Sequence, residues 1–223
     1  MPAAGSSQRF GQELPKQYMP VAGRTVIEWS LAPFLADPRC LEIVVAIAAT
    51  DARFARLPVA GQAKVRAVAG GAQRADSVLA GLESLQAPAD EWVLVHDAAR
   101  PCVSREEINA LLDSAADDAV GGLLAVPLAD TLKREADGRV HETPSRELLW
   151  RALTPQMFRL GALRAALALA RAAKRVPTDE AQALEWQGQR PRLVAGSPLN
   201  LKVTTAADLA LAAAILSQRG ERP

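Results

Sequence analysis

Apolar positions along the chain switch repeatedly between two periods. Glu42 to Ala48 is a near-continuous β-branched run, the pattern of a strand covered on both faces. Lys64 to Ala69 and Glu91 to His96 read as further strands, and Gly121 to Pro127 as another. Between them lie stretches with apolar residues at helical spacing: Thr25 to Asp37, Gln73 to Leu85 and Ser104 to about Asp117. Ser104 and Glu107 have the spacing of a capping box, which marks where the third helix starts. Leu160 to Arg175 is rich in Ala and Leu and predicts a helix on propensity alone. Thr178-Asp179-Glu180 caps the next helix, its two carboxylates favoured by the helix dipole. Pro191 to Gly196 and Asn200 to Thr204 read as short strands before a last helix, Ala206 to Arg219. Strands alternating with helices predict an α/β fold with a mostly parallel sheet.

One stretch breaks this rhythm. From Leu128 to Leu149 the residues are polar and partly alternating around Asp137-Gly138, a hairpin signal. Such a segment is too polar for the core and predicts an arm, at about 128–149, projecting from a single domain that spans 1–223.

Composition narrows the class. Among 223 residues, 26 Lys plus Arg stand against 25 Asp plus Glu, giving a net charge of +1 and arguing against a broad nucleic-acid-binding face. Cys40 and Cys102 lack partners at metal-ligand spacing and read as reduced thiols of a cytoplasmic protein. Neither a membrane-length apolar run nor a signal-peptide pattern occurs.

Candidate chemistry gathers at strand ends, where open α/β sheets bind ligands. The opening segment Pro2-Ala3-Ala4-Gly5 continues into a loop bearing Arg9 and Lys16. Its small residues allow close backbone approach to an anion, although the loop is no Walker A motif. Gly70-Gly71 leads to Arg74, Asp76 and Ser77; Asp97-Ala98-Ala99-Arg100 ends another strand; Lys202 lies in a short apolar strand. Taken singly, each reads more readily as a turn, a cap or a solvated charge; it is their joint placement at strand ends that points to a site. No nucleophile elbow and no Ser/His/Asp set accompanies them. A basic site without a general base suits attack by an ionised phosphate on a nucleotide α-phosphate. A phosphate monoester with a second pKa near ~6 needs no deprotonation at pH 7, and catalysis reduces to positioning and charge stabilisation.

The ordered set P-A-A-G…R-F…P-K-Q-Y (2–18), G-G…R-A-D-S-V (70–78), V-H-D-A-A-R-P (95–101), D-T-L-K (130–133), L-T-P-Q (153–156), T-D-E-A (178–181) and N-L-K-V-T (200–204) resembles the 2-C-methyl-D-erythritol 4-phosphate cytidylyltransferases of the non-mevalonate isoprenoid pathway. The resemblance covers nearly the whole chain. It implies a Rossmann-like nucleotidyltransferase fold, a homodimer, and Mg²⁺-dependent reaction of CTP with methylerythritol phosphate to give the cytidine diphosphate adduct and pyrophosphate. Arg9 and Lys16 would contact the triphosphate, Ala3, Ala4 and Gly5 would approach the nucleotide by their backbones, and Gly71 and Ser77 would read the cytosine. Asp97 and Ala98 would hold the ribose side, with Asp97 near the metal, and Lys202 would bridge the α-phosphate and the incoming phosphate. Arg100, Thr131 and Arg146 would bind methylerythritol phosphate, the latter two from an arm reaching over the partner subunit. The family carries an apolar strand directly before P-A-A-G; only Met1 precedes Pro2 here, so that first strand is expected to be missing. Two alternatives remain at this stage: another sugar- or alditol-phosphate nucleotidyltransferase, or a non-catalytic nucleotide-binding dimer.

Overall fold

The computed structural model describes residues 1–5 and 14–220. Its main sheet has four strands: β5 (Trp92–Val95), β6 (Gly121–Pro127), β9 (Trp150–Arg159) and β10 (Arg192–Ala195), in the order β10-β6-β9-β5. β10 runs parallel to β6, while β9 is antiparallel to both β6 and β5. The expected α/β architecture is present, with a sheet that is mixed because β9, a strand the apolar pattern does not reveal, sits at its centre. A separate parallel pair is formed by β3 (Ile43–Ile47) and β4 (Val65–Ala69).

Helices cover both faces. Val78 and Leu82 of α2 (Arg74–Glu83), Leu163 and Leu167 of α4 (Leu160–Ala172), and Leu184 of α5 (Glu180–Glu185) enclose Phe158 of β9. On the other face, Leu111 of α3 (Arg105–Ala115) packs on Leu124, Leu153 and Val194. Fully burying side chains of this size stabilises the fold by about 1.5–3 kcal/mol each. The stripe on α1 (Val26–Leu35) divides: Ile27, Leu31 and Phe34 join Val45 of β3, whereas Val26 and Trp29 meet Leu216 of α6 (Ala206–Gln218). Thr25 caps α1 through a capping box with Glu28, and Ser104 caps α3 with Glu107, at the position its spacing predicts. A small hairpin, β1 (Pro20–Val21) and β2 (Arg24–Thr25), precedes α1; its turn residues Ala22 and Gly23 have φ of 44° and 83°, and Trp29 Nε1 donates to Val21 O across 2.8 Å. The polar segment is a hairpin as predicted, β7 (Arg134–Ala136) and β8 (Arg139–Glu142), every residue of both strands being exposed.

Between β3 and β5 no full strand runs among the described residues. Met1 to Ala3 instead lie alongside β3: the Met1 amino group donates to Val44 O (2.6 Å), Ala46 N to Met1 O (2.9 Å), and Ala3 N to Ala46 O (2.7 Å). A groove of about 60 Å³ remains beside them, lined by Pro2, Val44, Val78, Leu82, Val93 and Val95. The expectation of a short strand at Asn200–Thr204 is corrected: this segment has no strand assignment and touches the body through Val203 N, which donates to Ala99 O at 2.8 Å. It hangs on side-chain anchors, with Asn200 Nδ2 donating to Thr154 O at 2.9 Å.

Candidate active site

The cleft is built where the ends of β4 and β5 meet the chain's opening segment, and encloses about 390 Å³. Ala3, Ala4, Gly5 and Lys16 line one side, Gly71, Arg74 and Ser77 a second, and Asp97, Ala98 and Lys202 a third. Arg9 lies outside the described residues. Gln17 ties the opening segment to its return, donating from Nε2 to Ala3 O (2.8 Å) and Gly5 O (3.4 Å).

The second wall is a turn that tolerates no side chain. A Cβ on Gly70 would stand 2.8 Å from both Ala4 Cβ and Ser77 Oγ, and one on Gly71 would stand 2.3 Å from Asp76 Cβ. Ser77, 2% exposed, holds the turn from inside: its hydroxyl accepts from Gly71 N (3.1 Å) and donates to Gln73 O (3.1 Å).

Asp97 is the electrostatic centre. Its carboxylate meets Arg74 at 2.9 Å and Lys202 Nζ at 2.8 Å, with Arg100 Nε at 3.6 Å. Burial pushes this carboxyl up, but Arg74, Lys202 and Arg100 outweigh it and hold the group far below the usual carboxylate range. The loop bearing it is fixed by a relay. Asp97 N donates to Thr154 Oγ1 (3.1 Å), the Thr154 hydroxyl pairs with His96 Nδ1 (3.0 Å), and His96 Nε2 lies 3.1 Å from Arg100 O. Because a carbonyl only accepts, Nε2 carries the proton and Nδ1 accepts from Thr154. Burial drives the His96 pKa down to about 4, so the imidazole is neutral and serves as a strut.

Arg74 donates to both oxygens of Glu180, from Nη1 at 2.6 Å and Nη2 at 3.0 Å, while its Nε donates to Asp97 Oδ1 at 3.0 Å. Glu180 is 1% exposed. Burial holds its carboxyl above the usual carboxylate range, the Arg74 guanidinium offsetting part of that rise. The sequence places Glu180 correctly in a first turn but does not show that it faces the cleft wall, since its partner is 106 residues away.

Not every expected residue lines the cleft. Arg100 is 9% exposed and is not part of the cleft lining, donating from Nη1 to Asn200 O at 2.7 Å, while its Nε has no hydrogen-bond partner. Thr131 and Arg146 are exposed on the arm, where Arg146 Nη1 contacts Ala129 O. Within one chain these three do not share the cleft wall with Lys16 and Lys202.

A divalent cation would find one carboxylate here, that of Asp97, to share with substrate phosphates. Mg²⁺ is commonly held by one or two carboxylates together with substrate phosphates. Asp97 lies at the cleft wall with Oδ1 on Arg74 and Oδ2 on Lys202, so it would take a cation in exchange for the Lys202 contact, and no cluster of three metal-ligating side chains exists among the described residues.

Comparison with known proteins agrees with this geometry. The model for 2-C-methyl-D-erythritol 4-phosphate cytidylyltransferase matches residues 1–218. The chain is 55% identical to the 2-C-methyl-D-erythritol 4-phosphate cytidylyltransferase of Ectopseudomonas mendocina, over 94% of this chain and 91% of that protein. The enzyme of the same name from Pseudomonas aeruginosa is 53% identical over the same shares. Among solved structures, a 4-diphosphocytidyl-2C-methyl-D-erythritol synthase superposes with a TM-score of 0.85 at 37% identity, covering 96% of this chain and 95% of that one. The Francisella tularensis cytidylyltransferase gives 0.82 at 35%, covering 96% and 97%. With motifs, fold and cleft in agreement over almost its full length, the chain belongs to the 2-C-methyl-D-erythritol 4-phosphate cytidylyltransferase family.

Proposed function

We propose that this cleft carries out the family's reaction, transfer of the cytidylyl group from CTP to the phosphate of 2-C-methyl-D-erythritol 4-phosphate, on the following residues. The small side chains of Ala3, Ala4 and Gly5 let the triphosphate approach the backbone, and Gly71 with the Ser77-pinned turn receives the cytosine. Asp97 and Ala98 face the ribose side. A phosphate oxygen of methylerythritol phosphate attacks the α-phosphorus in line; the bond to the bridging oxygen breaks and pyrophosphate leaves with that electron pair. Lys16 and, by its place in the motif, Arg9 offset the charge that builds on the triphosphate. Lys202 sits between the incoming phosphate and the α-phosphorus. Mg²⁺ bound through Asp97 and the phosphates would neutralise the leaving pyrophosphate. No residue is asked to remove a proton, in keeping with His96 buried and engaged on both nitrogens.

The observation that carries this assignment is the convergence of Lys16, Lys202 and Asp97, from three distant stretches, on one cleft walled by the Gly70-Gly71 turn. A panel of nucleoside triphosphates against phosphorylated polyols tests it: pyrophosphate release specific to CTP with methylerythritol phosphate is expected. Equal turnover of another alditol phosphate would overturn the substrate assignment.

We further propose one domain whose arm makes a homodimer. Val140 (64% exposed), Leu148 (89%), Leu149 (42%) and Trp150 (37%) leave apolar surface on and beside an otherwise polar hairpin. A partner arm crossing there would bring Thr131 and Arg146 to the neighbouring cleft and resolve why both lie away from their own. Among the described residues no helix is long and apolar enough to cross a membrane; the near-neutral balance of 26 Lys plus Arg against 25 Asp plus Glu supports an enzyme without nucleic-acid partners.

A further inference from the structure

We infer that the Arg74–Glu180 pair is a positioning brace that sets the cytidine side of the cleft. The inference rests on the assignment of Asp97 and the Gly71 turn to the nucleotide. Arg74 is the first residue of α2, three residues after Gly71, and the turn is tied to that helix by Ser77, whose hydroxyl accepts from Gly71 N. The Arg74 guanidinium spends two of its donors on Glu180 and directs Nε onto Asp97 Oδ1. Asp97 is thereby held by one oxygen, and its other oxygen faces Lys202.

The turn that carries Glu180 is held by contacts independent of Arg74. Asp179 caps α5 by accepting from Gln182 N at 2.9 Å. Gln156 of β9 clamps the same turn, with Nε2 donating to Asp179 Oδ2 (3.0 Å) and Oε1 accepting from Ala181 N (2.9 Å). The fixed point is therefore the centre of the main sheet. From there the brace runs through Glu180 and Arg74 to two nucleotide-facing elements that β4 and β5 present from separate sheets. No strand hydrogen bond joins those two sheets among the described residues; α2 packs on Val95 of β5 through Val78 and Leu82, and the side-chain bridge adds the directional tie across the cytidine subsite.

The test must separate positioning from stability. A buried ion pair replaced as a unit by apolar residues commonly leaves stability intact, whereas removal of one partner does not. The informative variant is thus Arg74→Met with Glu180→Leu, accompanied by Arg74→Lys and by Asp97→Asn as a control. For the double variant, in which Asp97 keeps its pairing with Lys202, we expect a melting temperature close to the parent's and CTP binding, by calorimetry, weakened about tenfold. The KM for CTP should rise in parallel while the KM for methylerythritol phosphate changes little. Parent-like CTP affinity in a folded double variant would overturn the brace. If the double variant does not fold, Arg74→Lys decides: it keeps the charge and loses the fork, so undiminished CTP affinity refutes the inference. Should Asp97→Asn bind CTP normally, the underlying assignment of Asp97 fails and the brace with it. Weak CTP binding by Asp97→Asn beside normal binding by the double variant would discard the brace alone.

Discussion

Replacing Gly71 by alanine puts one methyl group where the structure has no room for it. The new Cβ would lie 2.3 Å from Asp76 Cβ, and 3.3 Å and 3.4 Å from the backbone C and Cα of that residue. These are not atoms at the end of a flexible side chain. Asp76 is the third residue of α2 and takes part in its capping box with Gln73, so relief requires the helix start or the turn to move. Overpacking of this kind costs about 1–3 kcal/mol. For a chain of this size each kcal/mol lowers Tm by about 2–4 °C, giving an expected fall of about 2–12 °C. Displacement of the turn should also raise the KM for CTP about tenfold or more, since misplacement by an ångström is expensive in a positioned site. Two glycines calibrate the result. A Cβ on Gly61, far from the cleft, meets nothing within 4 Å among the described residues, so its alanine variant should match the parent in both readouts. A Cβ on Gly5 likewise meets nothing within 4 Å among the described residues, but Gly5 lines the cleft; Gly5→Ala should keep its Tm and weaken CTP binding. Thermal melting and CTP calorimetry on the three variants suffice. If Gly71→Ala melts and binds like the parent, the steric account of the turn is wrong.

Three further outcomes follow from the same geometry. His96 has a pKa of about 4 when folded against an ordinary 6.5, so between those values the unfolded chain takes up a proton that the native state refuses. Its contribution is intact above pH 6.5 and falls by about 3 kcal/mol as pH drops to 4; denaturant titrations should show His96→Gln losing that part of the slope. Leu148, 89% exposed, contributes nothing to its own chain's core, so Leu148→Glu should leave far-UV circular dichroism unchanged while sedimentation velocity shows monomers and turnover declines. Chelation of divalent cations should abolish turnover reversibly, and Asp97→Asn should require a higher Mg²⁺ concentration for half-maximal rate; an unaltered requirement would remove Asp97 from the metal site.

Much of this was legible because local chemistry and tertiary position agree. The β-branched run Ile43–Ile47 is buried almost throughout, as its composition demands, and Ser104 with Glu107 caps α3 by the spacing alone. β9 was not legible because it is two things at once. Trp150 to Ala152 are exposed at the foot of the arm while Leu153 to Phe158 are buried, with Thr154 and Gln156 spent on the His96 relay and the α5 turn. Neither half shows one period. Lys202 was read as a strand residue; its Leu-Lys-Val context is apolar because Val203 enters the core, and the lysine turns to Asp97 on irregular backbone. The cleft's basic residues were visible individually. Their neutralisation on one carboxylate, and the buried Glu180 that fixes Arg74, depend on contacts between distant stretches that no local pattern records.

The claim at the centre is that lysines converging on this cleft stabilise charge during cytidylyl transfer. The direct measurement is single-turnover conversion of radiolabelled CTP, at saturating methylerythritol phosphate and Mg²⁺, by the parent and by Lys16→Met and Lys202→Met. Loss of one preorganised donor to a developing charge costs about 10²–10³-fold. Each variant should slow the chemical step by that order while retaining the parent's fold, Asp97 in Lys202→Met still being paired with Arg74. Parent-like single-turnover rates in both variants would contradict the account.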